Sequence, residues 1–180
     1  WNAMYRGKGK LFQRYSPVRF CEELADLKNH YDTRFLKLYD DMFPTFKQDL
    51  PWLREFAAVY KKMVGLPFHC LTRCDIVMQN PEVLYLLKEA GVASVTMSIE
   101  SGNPFIRDHI ITRDMTEQEI MFAFDLARKL KIYTFSNTIL GIPGPKIPCI
   151  DDPDFEKHIQ QICEDSKFFR VSRGGKDVDF

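Results

Sequence analysis

The chain has 180 residues, room for one domain with a sizeable core. Its 25 basic and 25 acidic residues cancel, which argues against a nucleic-acid or anionic-membrane surface as the main partner. No run is long and apolar enough to cross a bilayer, and the polar, basic opening Trp1-Asn-Ala-Met-Tyr-Arg-Gly-Lys8 does not read as a signal peptide.

Five cysteines, Cys21, Cys70, Cys74, Cys149 and Cys163, are an odd number without secretory context. A disulfide framework is therefore not expected, and a reducing, cytoplasmic setting fits better. The opening on Trp1 and the closing Lys176-Asp-Val-Asp-Phe180 suggest a piece of something longer.

Residues 1–16 are basic and irregular and read as a solvated loop. Ser16-Pro17 starts a helix, with a hydroxyl at the N-cap and proline at the first helical position. Cys21, Leu24 and Leu27 then recur at helical spacing up to His30. Thr33 to Tyr39 alternates as a strand and ends in Asp40-Asp41. Pro51 to Val64 is a helix with Trp52, Phe56, Val59, Tyr60 and Met63 on its apolar face, stopped by Gly65. Leu66 to Thr72 is a second strand, followed by Arg73 and Asp75. Asn80-Pro81 caps a third helix, which Gly91 ends. The stretch Ser94-Val-Thr-Met-Ser-Ile-Glu-Ser-Gly-Asn103 runs an apolar strand straight into the carboxylate of Glu100. Thr116-Glu-Gln-Glu119 is a capping box for a helix carrying Ile120, Phe124, Leu126 and Leu130. Tyr133 to Leu140 is a fourth strand, closing in Gly141-Ile-Pro-Gly144. From Pro145 the composition changes. Residues 1–144 read as the core domain and 145–180 as a linker, a short helix started by Asp152 or Asp154, and an irregular tail.

Strands about every 30 residues with a helix between are repeated βα units, so an α/β fold of parallel strands covered by helices is expected. An open doubly wound sheet and a partial (β/α) barrel compete. A full eight-unit barrel takes about 250 residues, so only part of one fits. No G-x-G-x-x-G turn follows a strand.

Ligands of parallel α/β folds bind at the carboxyl ends of the strands. Those ends carry Asp40 and Asp41, Arg73 and Asp75, Glu100 and Ser101, and Asn137 with Gly141–Gly144. Singly, each has an ordinary role such as a helix cap or an Arg73–Asp75 ion pair. Together they suit a ligand bearing an ammonium and a ribose, with Arg73 able to fork onto a carboxylate. The glycines allow backbone to approach a base closely.

Five segments carry a resemblance: Tyr39-Asp-Asp-Met-Phe43, Gly65-Leu-Pro-Phe-His-Cys-Leu-Thr-Arg73, Leu87-Lys-Glu-Ala-Gly91, Ser98-Ile-Glu-Ser-Gly102 and Ile139-Leu-Gly-Ile-Pro-Gly144. In this order and spacing the chain resembles the core of radical S-adenosylmethionine (SAM) enzymes, most closely the branch often fused to a cobalamin-binding domain. The resemblance covers roughly residues 1–144. It implies a partial (β/α)6 barrel, SAM and a 4Fe–4S cluster as cofactors, and cobalamin in the parent protein. It also implies reductive cleavage of SAM to a 5′-deoxyadenosyl radical, with a reductant such as flavodoxin or ferredoxin as partner. By resemblance, Asp40 and Asp41 contact the SAM amino group. Glu100 and Ser101 meet the ribose or methionine, and Asn137, Gly141 and Gly144 lie beside the adenine. Arg73 holds the SAM carboxylate or the substrate.

The family's CxxxCxxC cluster motif is absent, and Trp1-Asn2 resembles the pair that often follows its last cysteine. The cluster ligands are therefore expected outside this chain, and no residue here is assigned to a metal. Cys70-Leu-Thr-Arg-Cys74 imitates half the motif, but Val77 stands in place of the third cysteine. Both read as buried or rim residues, with His69 on the opposite strand face. Pro145-Lys146 replaces the family's usual Glu-Thr helix start. No acid or base is assigned, and the substrate is not readable. Two rivals remain: a non-catalytic binding module, and an unrelated barrel holding a divalent metal on Asp40, Asp41 and Glu100.

Overall fold

The computed structural model describes residues 14–40, 43 and 45–142, and the backbone of 172–173 and 176–177. Strands β1 (Leu36–Lys37), β2 (Phe68–Thr72), β3 (Val92–Met97) and β4 (Tyr133–Phe135) form one sheet in sequence order, each pair parallel. A doubly wound sheet reverses its order at a switch point, whereas barrel strands follow one another around a ring. The unreversed order is that of an arc of a (β/α) barrel, so the partial barrel prevails over the open sheet. Ser172–Arg173 and Lys176–Asp177 pair antiparallel as β5 and β6.

Helix α1 (Pro17–His30) precedes the sheet, and α2 (Leu50–Met63), α3 (Cys74–Gln79), α4 (Glu82–Ala90) and α5 (Glu117–Lys129) connect its strands. Local chemistry sets their ends. Ser16 Oγ accepts from Arg19 N at 3.3 Å, with Pro17 in the first turn of α1. Thr116 and Glu119 form the reciprocal capping box of α5, with Glu119 Oε2 accepting from Thr116 N at 2.7 Å. Gly91 ends α4 at φ +107°, a left-handed value that favours glycine.

The apolar stripe of α2 does most of the packing. Trp52 stacks on Phe56 at 5.2 Å, and Phe56 meets Phe43 and Phe68 edge to face at 5.3 and 6.0 Å. Tyr60 is buried too, its hydroxyl donating to Leu66 O at 2.9 Å. These side chains cover one face of the sheet, which turns Leu36, Phe68, Cys70 and Val95 toward them.

Three details depart from the sequence reading. The outer strands are shorter than their alternation: β1 keeps two residues although Leu38 N still donates to His69 O at 2.9 Å, and past β4 Ile99 N donates to Ser136 Oγ at 3.4 Å. Asn80 does not cap α4 through its side chain. The helix begins at Glu82, and Val83 N donates instead to Asn80 O at 3.1 Å. The six-residue α3 has no side-chain cap at its start and is too short for a periodic signal. No described helix is long and apolar enough to cross a membrane. The expected helix after Asp152 lies outside the described residues.

Candidate functional site

Strand alternation that buries one face of the sheet turns the other toward an open concavity. Parallel pairing aligns Lys37, His69, Ser94 and Tyr133 in one row across all four strands. Leu71, Thr96 and Phe135 make the next row. The concavity measures about 360 Å³ and is lined by Phe35, Lys37, His69, Ser94, Thr96, Phe135 and Asn137. On its floor His69 Nδ1 lies 2.7 Å from Ser94 Oγ and Nε2 lies 3.1 Å from Thr96 Oγ1. All three side chains are buried, and Phe135 meets the imidazole edge-on at 5.7 Å. Burial, and then the neighbouring Lys37 charge, push the His69 pKa below its usual value.

Above the floor, at the carboxyl ends of the strands, stands Glu100. Its φ is +67°, unusual for a residue with a side chain. Two hydrogen bonds hold it there: Glu100 N donates to Asn137 O at 2.9 Å, and Ile139 N donates to Glu100 O at 2.8 Å. The strain, about 1–2 kcal/mol, is thus sustained by pairing to the continuation of β4. The Glu100 carboxylate lies 3.6 Å from the Arg113 guanidinium, which also donates to Ser98 O at 3.3 Å. Among the described residues, Arg113 Nε is buried without a hydrogen-bond partner. Left-handed residues on either side, Thr112 and Asp114, shape the loop that delivers it. The buried Arg107 pins this loop by donating to Met115 O at 2.7 Å and Ser101 O at 3.4 Å.

The other expected residues stand as follows. Arg73 forks onto Asp75 at 2.9 and 3.1 Å and donates to Arg113 O at 2.9 Å, which ties it into the rim. Ser101 Oγ accepts from Asn103 N at 3.2 Å and closes the turn after Glu100. Asn137 Nδ2 donates to Ser98 Oγ at 3.1 Å at the edge of the concavity. Asp40 is exposed just after β1. Gly141 has φ +73°, and a Cβ there meets nothing within 4 Å. Asp41 and Gly144 lie outside the described residues. The sheet thus brings Glu100 and Asn137 together and joins Arg73 to Glu100 only through Arg113. Arg113 and the floor residues Ser94 and Thr96 are new. Arg113 sits in a loop without periodicity, and the pairing of Ser94 and Thr96 with His69 depends on strand register.

The donors fit part of SAM. Carboxylate, hydroxyl and amide groups at one rim match an ammonium and ribose hydroxyls, and the space beside Gly141 suits a flat ring. They do not fit an iron–sulfur cluster. Among the described residues no group of His, Cys, Asp and Glu could hold a metal ion. Cys21, Cys70 and Cys74 are buried, and burial raises their pKa: to about 11 for Cys21, to about 12 for Cys74, and higher still for Cys70. Such thiols stay protonated, whereas cluster ligands are thiolates.

Comparison with known proteins agrees. Over 135 residues, 75% of this chain, it is 25% identical to cytidylyl-2-hydroxyethylphosphonate methyltransferase of Streptomyces wedmorensis. Over the same length it is 27% identical to an uncharacterised methyltransferase of Pyrococcus horikoshii. The matches cover 24% and 28% of those proteins, so the chain spans about a quarter of the length of these curated relatives. The Radical SAM superfamily model matches residues 10–159, most of the chain. The chain belongs to the radical SAM superfamily.

Proposed function

We propose that this chain is the SAM-binding part of a radical SAM enzyme that transfers a methyl group. The observation that carries the reading is Glu100, a carboxylate held in a left-handed conformation at the rim of an open, polar sheet face. Left-handed strain at a residue with a side chain is more economically explained by ligand positioning than by packing. Glu100 and Asn137 orient the ribose and methionine portions, with Ser98 holding the Asn137 amide. Asp40 and Asp41 take the amino group, Ser101 shapes the turn below Glu100, and Gly141 and Gly144 flank the adenine. Arg113, anchored by Arg73, fixes the Glu100 carboxylate. When bound, SAM would supply the family's radical chemistry, one-electron reductive cleavage to methionine and a 5′-deoxyadenosyl radical, with the electron from a reductant such as flavodoxin or ferredoxin. The cluster ligands belong to the parent protein outside this chain. Methyl transfer is favoured by the names of both relatives. Cobalamin enters only through the resemblance of the sequence motifs. The buried, reduced thiols suit a cytoplasmic setting.

Titration of the 180-residue chain with SAM tests the binding role, and saturable binding weakened by Glu100→Gln is expected. Anaerobic iron–sulfur reconstitution of the parent enzyme, followed by an assay for 5′-deoxyadenosine, tests the chemistry. A parent that holds a cluster and releases no 5′-deoxyadenosine overturns the enzymatic reading. Binding of magnesium without SAM favours the metal-dependent rival.

A further inference from the structure

We propose that the floor of the open sheet face is an oxyanion-binding pocket, in which His69, Ser94, Thr96 and Lys37 take the phosphate or carboxylate group of the substrate. The pocket rests on the reading of this face as the reaction chamber. It concerns the substrate and not SAM.

The argument starts from hydrogen-bond valence. A neutral imidazole has one N–H and one lone pair. With hydroxyls on both ring nitrogens, at 2.7 and 3.1 Å, one hydroxyl accepts the ring N–H and keeps its own proton. The other spends its proton on the lone pair. An imidazolium donates from both nitrogens, so both hydroxyls become acceptors and both of their protons turn outward. An anion at the mouth thus gains two O–H donors together with two positive charges, those of His69 and Lys37. A neutral ligand gains one O–H donor and meets only the Lys37 charge, which it cannot pair.

The surroundings select for the anion. Of the seven described residues lining the concavity, Lys37 alone is formally charged and none is a carboxylate. Tyr39, two residues beyond β1, and Tyr133 on β4 flank this face, and the Glu100 carboxylate at the rim is paired with Arg113. Lys37 stands directly across from His69 in the β1–β2 register, with its ammonium 4.6 Å from the Tyr39 ring. Burial, and then the Lys37 charge, hold the His69 pKa below its usual value, so an anion bound against the imidazole favours uptake of a proton there. A buried histidine with both nitrogens satisfied is often structural. Here the phenyl rings of Phe35 and Phe135, 47% and 57% exposed, line the concavity beside it. An apolar or aromatic substrate body fits there. Thr96 precedes Glu100 by four residues, so the pocket lies roughly 13 Å along the strand below the rim carboxylate. That depth leaves the anion on the floor and the body of the substrate reaching toward Glu100.

Calorimetry on the full 180-residue chain near neutral pH, with phenyl phosphate and with benzoate as probes, tests the pocket. Each titration is run in two buffers of different ionisation heat. At least one probe is expected to saturate with proton uptake, and the tighter of the two names the anion class. Lys37→Met and His69→Gln are each expected to weaken it about tenfold. His69→Gln also abolishes the proton uptake and leaves SAM affinity unchanged. Lys61→Met, on the exposed side of α2, serves as the surface control, and thermal unfolding confirms that each variant is folded. If either pocket variant unfolds, Ser94→Ala, which removes one hydroxyl donor, takes its place with the same expected weakening. Three results overturn the pocket: no saturable binding of either anion, benzyl alcohol binding as tightly as the anions, or anion binding unchanged in the pocket variants. SAM binding without anion binding overturns the pocket alone and leaves the proposed function standing. Anion binding without SAM binding does the reverse.

Discussion

Replacing Glu100 by alanine and by glycine separates strain from charge. Both variants lose the carboxylate and its 3.6 Å contact with Arg113, so that loss cancels in their comparison. What remains is the backbone at φ +67°. Alanine there bears the left-handed penalty of about 1–2 kcal/mol, which glycine escapes. Glycine in turn gives the unfolded chain extra freedom, worth about 0.4–1 kcal/mol. The balance leaves Glu100→Gly more stable than Glu100→Ala by about 1 kcal/mol, the reverse of the usual order inside a strand. Urea unfolding reads this as a higher midpoint at unchanged slope, and heating as about 2–4 °C in Tm. SAM affinity should fall about tenfold in both variants, the worth of one charge-assisted hydrogen bond near 1.4 kcal/mol. Equal stability of the two variants, or alanine the more stable, refutes the claim that Glu100 is held under strain. Undiminished SAM binding refutes the claim that the strain serves a ligand.

Phe56→Ala, in the middle of the aromatic cluster, should cost about 3–5 kcal/mol, much of a domain's stability, and shows as a large drop in the urea midpoint. Arg113→Ala should destabilise the rim by about 1–3 kcal/mol with partial recovery in Arg113→Lys, and equal effects of the two would deny the guanidinium its role. Cys21, Cys70 and Cys74 should resist iodoacetamide in the folded chain and react after unfolding, as peptide mass spectrometry can resolve, and prompt labelling of Cys70 near neutral pH would contradict its burial. Folding raises the Cys21 and Cys74 pKa above the unfolded value of 9.0, so their contribution is complete below that pH and is lost as pH rises through about 11 to 12. Folding lowers the His69 pKa, so its contribution is complete above pH 6.5 and falls as the solution is acidified below that, a dependence His69→Gln should flatten in pH-resolved urea unfolding.

By itself the sequence determined what depends on neighbours along the chain. Ser16-Pro17 and the Thr116–Glu119 box start their helices, and Gly91 ends one, because capping satisfies backbone groups within a turn. The alternating strands and their polar ends were equally legible, and with them Glu100 as a residue ill suited to packing. Tertiary structure decided what meets across the sheet. The unreversed strand order chose the barrel arc over the open sheet. Register set His69 between Ser94 and Thr96, and alternation alone could not say which face the helices would cover. A loop with no periodic signal carried Arg113 to Glu100 and joined Arg73 to the rim. Such meetings between distant residues follow from packing and strand pairing, which no local pattern encodes. The sequence could mark Glu100 as a rim carboxylate, and only the folded sheet gave it a strained backbone, a guanidinium and an open polar face beneath.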